Sequence, residues 1–410
     1  MNGIFIIGIG MTPFGRHLDR SIKDLTREAV EAALSDAGCE RTQLGLAVFS
    51  NVAQGHMEGQ HSIRGQIALR AMGIDGIPVV NVENACASGS SALALATSAL
   101  GSGMAEIALA VGVEKLYSED RERMFAAFDA GWDVSIAEEN RQRLLALGAA
   151  VEVPEGSQSD APYSVFMDVY AALARQHMRL YGSTQTHFAA VAAKNHRHSV
   201  HNPLAQYRRP YTTEEVLAGR PIVYPLTVPM CSPVSDGAAA VALCTERALA
   251  RLGRRRAVAV RAVALRSGSE RDPDDLERHI SRRAAAAAWE QAGLGPEDVS
   301  LAEVHDATAV GEVIELEAIG LFKGGEAGPA AVRGETELGG RLPVNPSGGL
   351  ECRGHPIGAT GLAQTFELVT QLRGEAGPRQ VEGARVAVAE NGGGLIGVEE
   401  AAVCVTVLSR

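Results

Sequence analysis

The chain has 410 residues, enough for two domains or one large one with an ample core. Hydrophobic residues at 46%, 45 glycines and only 4% aromatics suit a compact α/β enzyme with many tight turns. A formal net charge of −11 argues against general nucleic-acid binding, and no apolar run approaches the roughly 20 residues of a membrane span.

Met1-Asn2-Gly3-Ile4 runs directly into a strand-like stretch without a basic leader, so no signal peptide is expected. Residues 3–10 read as a buried strand, and Ser21 to Gly38 as an amphipathic helix ending on glycine. Residues 46–51 read as a second strand and 60–73 as a helix. Residues 77–82 have the length and branching of a short buried strand. Asn84-Ala85-Cys86-Ala87-Ser88-Gly89-Ser90-Ser91 then turns into an uncharged small-residue helix closed by Gly101. A helix without a polar face is buried on all sides. Residues 107–113 form a further strand, and this βαβα rhythm implies a largely parallel sheet with helices on both faces. From 117 to 233 the rhythm breaks, with more charge, His, Tyr and Met, which reads as a mostly helical excursion. Asp236 to Thr245, apolar and small, returns to the sheet.

The second half echoes the first. The helix ending at Gly38 matches one ending at Gly293, an offset of 293 − 38 = 255, and the same offset lays Leu46-Ala47-Val48-Phe49 on Leu301-Ala302-Glu303-Val304. Gly358-Ala359-Thr360-Gly361 opens a small-residue helix like the one after Cys86, and 386–389 matches the strand at 107–113. Two similar halves bring their central helices together and place the turns before them at one seam.

Cys86 sits where a strand turns into a helix, so free N–H groups and the dipole there would stabilise a thiolate. A buried structural cysteine is the plainer reading, but Asn84, Ser88, Gly89 and Ser90 crowd the turn, and Cys86 reads as a nucleophile. Three turns in the second half carry polar groups: Val304-His305-Asp306-Ala307-Thr308, Gly354-His355-Pro356-Ile357-Gly358, and Glu390-Asn391-Gly392-Gly393-Gly394. The last reads as a flexible loop with N–H groups free to face a ligand. One histidine would activate the sulfur and the other polarise a carbonyl oxygen. The cysteines at 39, 86, 231, 244, 352 and 404 show no CxxC pair or metal-ligand spacing, so no metal is expected and a reducing cytoplasm is. Lys23, Lys115, Lys194 and Lys323 lie in no motif, which speaks against Schiff-base chemistry.

On these residues the chain resembles the thiolases over nearly its whole length, most closely the sterol-carrier-protein-type branch without an appended lipid-transfer domain. The NACASG turn resembles the acyl-accepting turn of the family, which makes Cys86 the nucleophile. GHPIGATG resembles its GHP block, with His355 as the base. HDAT resembles the HD motif of that branch, so His305 would help bind the thioester oxyanion through a water. Cys231-Ser232-Pro233 resembles the segment returning from the loop domain, with Ser232 as a coenzyme A contact. The cationic stretches Asn195-His196-Arg197-His198 and Arg208-Arg209 are candidates for the coenzyme A phosphates.

The resemblance implies a thiolase fold of the α/β class, five-layered αβαβα, from two similar βαβαβαββ halves with an inserted loop domain. Its expected division is 1–116 with 234–250 for the first half, 117–233 for the insertion and 251–410 for the second half. Two departures stand out: Asn391-Gly392-Gly393 occupies the place of the C-terminal Cys-x-Gly loop, and Ala307 the place where the branch often carries its acid/base cysteine. Cys352 is a candidate substitute, set against the reading that it is a loop cysteine with no role. The expected activity is acyl transfer between carbon and coenzyme A, making or cleaving a 3-oxoacyl-CoA, with coenzyme A as substrate and no resident cofactor. Two rivals stay open: an aldolase-like lyase working with a zinc-ribbon/OB-fold acyl-CoA-binding partner, and a non-catalytic acyl-CoA-binding subunit. A homodimer or homotetramer is expected, paired through a first-half sheet edge for which the strand at 107–113 is the candidate. Neither nucleic acid nor membrane is expected as a partner.

Overall fold

The computed structural model describes residues 3–252 and 256–410. Met1 and Asn2, which bear on the leader expectation, lie outside the described residues, as do positions 253–255 at the expected junction of the halves. Nine strands form one continuous sheet: β1 Ile4–Met11, β2 Leu46–Ser50, β3 Val79–Val82, β4 Ile107–Glu114, β5 Gly237–Thr245, β6 Val258–Ser267, β7 Leu301–Glu303, β8 Val386–Gly393 and β9 Ala402–Ser409. Their order is β3-β2-β4-β5-β1-β6-β9-β8-β7.

The order is a repeat. In the first half β2 runs parallel to β4 (Leu46 opposite Ala108), while β5 pairs antiparallel with both β4 and β1. In the second half β7 runs parallel to β8 (Leu301 opposite Ala387), while β9 pairs antiparallel with both β8 and β6. Even the outermost position recurs, since a parallel bridge from Ala302 to Val344 stands where β3 lies beside β2. The halves join through a short antiparallel contact of Phe5 and Ile6 with Ala259 and Val258.

Helix α1, Ile22–Ala37, covers the outer face of the first half-sheet. Ser21 caps it in a reciprocal box with Asp24, and Gly38 ends it at φ 60. The matching α5, Ile280–Ala292, covers β6 and β9 and ends on Gly293 at φ 64. A left-handed C-cap is a conformation that glycine alone adopts at no steric cost.

Between the two half-sheets lie α2, Ser88–Gly101, and α7, Thr360–Arg373, each packed on strands of both halves. The layers are therefore helix, sheet, helix, sheet, helix. Leu93, Leu100, Leu362 and Leu368 are buried in this middle layer. Each contributes about 2 kcal/mol relative to exposure. The two helices cross at their first turns, where a Cβ on Gly361 would stand 2.5 Å from Ser90 N. That close crossing sets the first turns of both helices side by side.

Residues 117–236 add no strand to this sheet among the described residues, only helices and a short hairpin. Their longest helices, α3 Val165–Tyr181 and α4 Gln185–Ser199, pack on α6, Ala309–Ala318, of the second half. Among the described residues no helix is long and apolar enough to cross a membrane.

Three local expectations change. The helix expected over 60–73 is confined to Arg64–Arg70, preceded by a turn of helix at Gln54–Glu58. The strand before the Cys86 turn is no buried strand: β3 ends the sheet and leaves Val80 41% exposed. Conversely β4, expected at an edge, lies between β2 and β5 and is buried throughout. Apolar content alone cannot tell an edge strand awaiting cover from a central one.

Candidate active site

Cys86 stands in the turn between β3 and α2, at the seam between the halves. The residue before it, Ala85, is held at φ 47, an uncommon conformation for a side chain other than glycine. The polar residues around the turn explain how it is held. Asn84 donates its backbone N–H to Ser88 Oγ and its amide to Ser91 Oγ, and the Ser88 hydroxyl donates to Ala85 O. Gly393 at the end of β8 packs against the turn so closely that a Cβ there would lie 2.4 Å from Ala87 N.

His355 Nε2 lies 3.2 Å from Cys86 Sγ. Its other nitrogen, Nδ1, is 2.7 Å from Thr360 Oγ1, whose own proton goes to Pro356 O at 3.0 Å. Thr360 can therefore only accept from the ring, which places the imidazole proton on Nδ1 and leaves Nε2 as an acceptor facing the thiol. Burial, with His305 and Arg353 nearby, holds this imidazole well below its usual range, so it is neutral.

His305 carries the opposite tautomer. The Asn391 amide donates to His305 Nδ1 at 3.0 Å, while Asn391 Oδ1 accepts from Ser90 Oγ at 2.7 Å. With the Asn391 amide nitrogen turned to the ring, the neutral imidazole carries its proton on Nε2, as a donor; the Ser90 hydroxyl also lies within reach of Ala87 O at 2.9 Å, so this orientation of the amide is what sets the tautomer. Burial lowers this histidine to about 3, so it stays neutral at any working pH. The two rings meet edge to face with centroids 5.2 Å apart.

The resting cysteine is a thiol, not the thiolate expected from its place at a helix start. Burial, together with the charges of Glu114 and Glu83, pushes it up to about 12, although the backbone N–H groups of Cys86 and Gly394 favour the anion. Desolvation and two carboxylates outweigh the helix end, so the site needs a base, and His355 Nε2 is in place to act as one. The ligand atoms of Cys86, His305 and His355 lie within 4.8 Å of one another. With His305 Nε2 protonated, this set is arranged for proton transfer and not for gripping a cation.

These groups line a cavity of about 240 Å³ with Ser232, Ala307, Gly392, Gly393 and Gly394. Its other walls are mainly apolar and aromatic, among them Phe125, Phe128, Phe166, Met167 and Tyr170. Ser232 N donates to Ala307 O, which ties the segment returning from the insertion to the His305 turn.

Several expected residues lie elsewhere. Cys352 is fully buried in a short helix, Gly349–Arg353, and does not line the cavity; burial drives its thiol well above the usual range. It is thereby removed as the substitute acid/base. Arg208 and Arg209 sit on the surface outside the cavity, Arg208 donating to Val200 O and Arg209 stacking over Tyr211. In the stretch 195–198, Asn195, His196 and His198 are buried in hydrogen bonds to protein groups, and the exposed Arg197 pairs with Glu337. The arginines that do line the cavity are Arg121 and Arg220, in stretches without any motif. The stretch 390–393 is no flexible loop but the end of β8, paired residue for residue with β9.

Sequence reasoning also missed the groups that hold the turns. Glu114 at the end of β4 is buried and accepts from the backbone N–H groups of Val52, Ala53 and Gly358, fixing the segment after His355. Burial raises it to about 7. Asp306 accepts from Leu350 N and from the Asn195 amide, fixing the His305 turn against the helices behind it.

Comparison with known proteins agrees with this geometry. The family described as "Thiolase, N-terminal domain" matches residues 4–214, and "Thiolase C-terminal domain-like" matches 262–409. The acetyl-CoA acetyltransferase of Methanothermobacter thermautotrophicus is 38% identical over 399 residues, 96% of this chain and 97% of that protein. Sterol carrier protein 2 of Oryctolagus cuniculus is 35% identical over 399 residues, 95% of this chain and 69% of that protein. Among solved structures, the "Ltp2-ChsH2(DUF35) aldolase" superposes with a TM-score of 0.79 at 24% identity, covering 100% of this chain and 98% of that one. At that identity the likeness speaks for the fold.

Proposed function

The chain belongs to the thiolase family, and we propose that Cys86, His355 and His305 carry out its acyl transfer in the roles their tautomers dictate. It is an acyltransferase that makes or cleaves a 3-oxoacyl-CoA through an acyl-cysteine. Cys86 gives its proton to His355 Nε2 as the sulfur attacks the carbonyl carbon. The imidazolium formed keeps its Nδ1–H on Thr360. Negative charge on the acyl oxygen is met by the N–H groups of Cys86 and Gly394, and charge on the departing thioester enolate by His305 Nε2–H. Coenzyme A enters past Ser232, with Arg121 and Arg220 as the cations for its phosphates. The observation that carries this reading is the 3.2 Å approach of His355 Nε2 to Cys86 Sγ in the tautomer able to accept a proton. Replacement of Cys86 by Ala tests it: acyl transfer to coenzyme A is lost while the fold persists, since a small residue suits that turn.

A retro-aldol lyase is the second reading. It is favoured by the absence of a thiol at both usual acid/base positions, now Ala307 and Asn391. A zinc-ribbon/OB-fold acyl-CoA-binding protein is the partner that reading calls for. Under either reading we propose a homodimer, paired through β3, the last strand of the sheet, whose Val80 is 41% exposed. The cysteines are all free thiols, which fits work in a reducing cytoplasm.

A further inference from the structure

Cleavage of a 3-oxoacyl-CoA leaves an electron pair on the α-carbon, which must take up a proton, and His355 is already occupied with the Cys86 proton. A separate acid would leave that imidazolium free to return its proton to Cys86 later in the cycle, and neither Ala307 nor the buried Cys352 provides one. Beside Tyr163, Tyr170 and Tyr207, whose hydroxyls are all held above their usual range chiefly by burial, the cavity wall carries two further groups not yet used, Cys231 and Glu400. The Cys231 thiol is buried, turned toward Thr227 O, and driven far up by burial.

Glu400, in the turn between β8 and β9, is placed differently. A Cβ on Gly392 would stand 2.8 Å from Glu400 Cγ, so the absence of a side chain there is what admits the carboxyl. The span from Glu400 to the nucleophile is short: a Cβ on Gly394 would touch both Ala401 Cβ at 3.2 Å and Ala85 Cβ at 3.5 Å, the neighbours of Glu400 and Cys86. Tyr170 of α3 lines the same cavity as Glu400 and Cys86.

Behind Glu400 lies a second cavity of about 30 Å³, which shares Tyr170, Gly394 and Glu400 with the first. That is the space of about one water. His279 and Glu315 also line it. Glu315 Oε2 and Glu390 Oε1 are buried without any hydrogen-bond partner, as is Glu400 Oε2. Orphaned buried oxygens of this kind call for a proton or a water between them. Burial and the mutual repulsion of Glu315, Glu390 and Glu400 raise both Glu315 and Glu390 well above the usual carboxyl range. The set would not suit a cation, because His279 Nδ1 accepts from Ser281 N and its Nε2 then carries the ring proton toward Glu400 Oε2, 3.8 Å away. A third cavity of about 130 Å³, lined also by Arg282, lies on the other side of His279, which both share.

We propose that Glu400 is the acid that delivers the proton to the substrate α-carbon, and that Glu315, Glu390 and His279 form the buried surround that positions it. This rests on the acyl-cysteine reading. In cleavage the bond from Cys86 sulfur to C3 forms, the C2–C3 bond breaks, and its electron pair goes to C2. Glu400 gives its proton to C2, completing the shorter acyl-CoA. The Glu400 carboxylate then takes the thiol proton of the incoming coenzyme A as that sulfur attacks the acyl-cysteine. Cys86 leaves and regains its proton from His355, so the cycle closes without a further reactant.

The test compares two single-turnover acylations of Cys86, one from acetoacetyl-CoA, which requires C–C cleavage, and one from acetyl-CoA, which does not. Glu400→Gln is expected to lower the ratio of the first rate to the second by about a hundredfold or more. Glu400→Asp, which withdraws the carboxyl by one methylene, is expected to lower it about tenfold. Cys231→Ala should leave the ratio within about threefold of the wild type. An unchanged ratio in either Glu400 variant, or a hundredfold fall in Cys231→Ala, overturns the proposal. Wild-type protein acylated by neither thioester would instead overturn the acyl-cysteine reading and this proposal with it.

Discussion

Cys86 and His355 are 269 residues apart in the chain, yet their Sγ and Nε2 atoms lie 3.2 Å apart at the crossing of the two central helices. Each residue belongs to the turn before one of those helices, one from each half. The contact therefore exists only when both halves have folded against each other. In His355→Ala the thiol keeps its high titration point and loses its base, so acylation falls by roughly 10²–10⁴-fold. Rapid-quench measurement of Cys86 acylation, beside a binding measurement with coenzyme A, checks that the loss lies in the chemical step.

Thr360→Val probes the tautomer. The variant keeps the shape of the side chain but removes the acceptor of His355 Nδ1–H, so Nε2 is no longer held unprotonated. We expect acylation to slow about tenfold, the scale of 1–1.5 kcal/mol for a lost hydrogen bond. A wild-type rate in this variant would show that Thr360 does not set the proton position.

Asn391→Asp reverses the partner of His305. A carboxylate accepts from Nδ1–H, so the neutral ring would present a bare Nε2 to the developing oxyanion. At pH 8 the cleavage rate should fall by about 10²–10³-fold, and it should recover in part as pH is lowered and the imidazolium supplies a proton at both nitrogens. A pH profile of cleavage in this variant reads both effects.

The wild-type rate of Cys86 acylation by acetyl-CoA should show no drop centred in the ordinary imidazole range. His355 must be neutral to accept the thiol proton, and burial keeps it neutral well below the ordinary imidazole range. The thiol, pushed up to about 12, adds no rise near the usual thiol range either. A half-drop centred near pH 6.5 would mean that His355 titrates as an exposed histidine.

Much of this site was legible because its chemistry is local in sequence. The Cys86, His355 and His305 turns each set polar residues just ahead of a helix, the first two with glycines as well, and the repeat of the halves placed them at one seam. What was not legible depends on distant pairing. Nothing in the stretch 195–198 marks Asn195 as bonded to Asp306, 111 residues away, so its cationic neighbours read as a phosphate site. Nothing near Glu114 in the chain marks it as the acceptor for Val52, Ala53 and Gly358, which come together only once the strands are ordered. Cys352 lies three residues from His355 along the chain, but the helix it sits in turns its thiol away from the cavity. Cys352→Ala should accordingly cost about 1 kcal/mol of stability and leave acyl transfer unchanged, as denaturation and turnover measured on the same sample would show.

The central claim is that Cys86 carries the acyl group. Protein quenched within one turnover of mixing with acetoacetyl-CoA, then digested and mapped by mass spectrometry, reads it directly. The account predicts one acetyl group on the peptide containing Cys86, lost on addition of coenzyme A and absent in Cys86→Ala. Turnover by the wild type with no adduct on Cys86, or full transfer activity in Cys86→Ala, would contradict it.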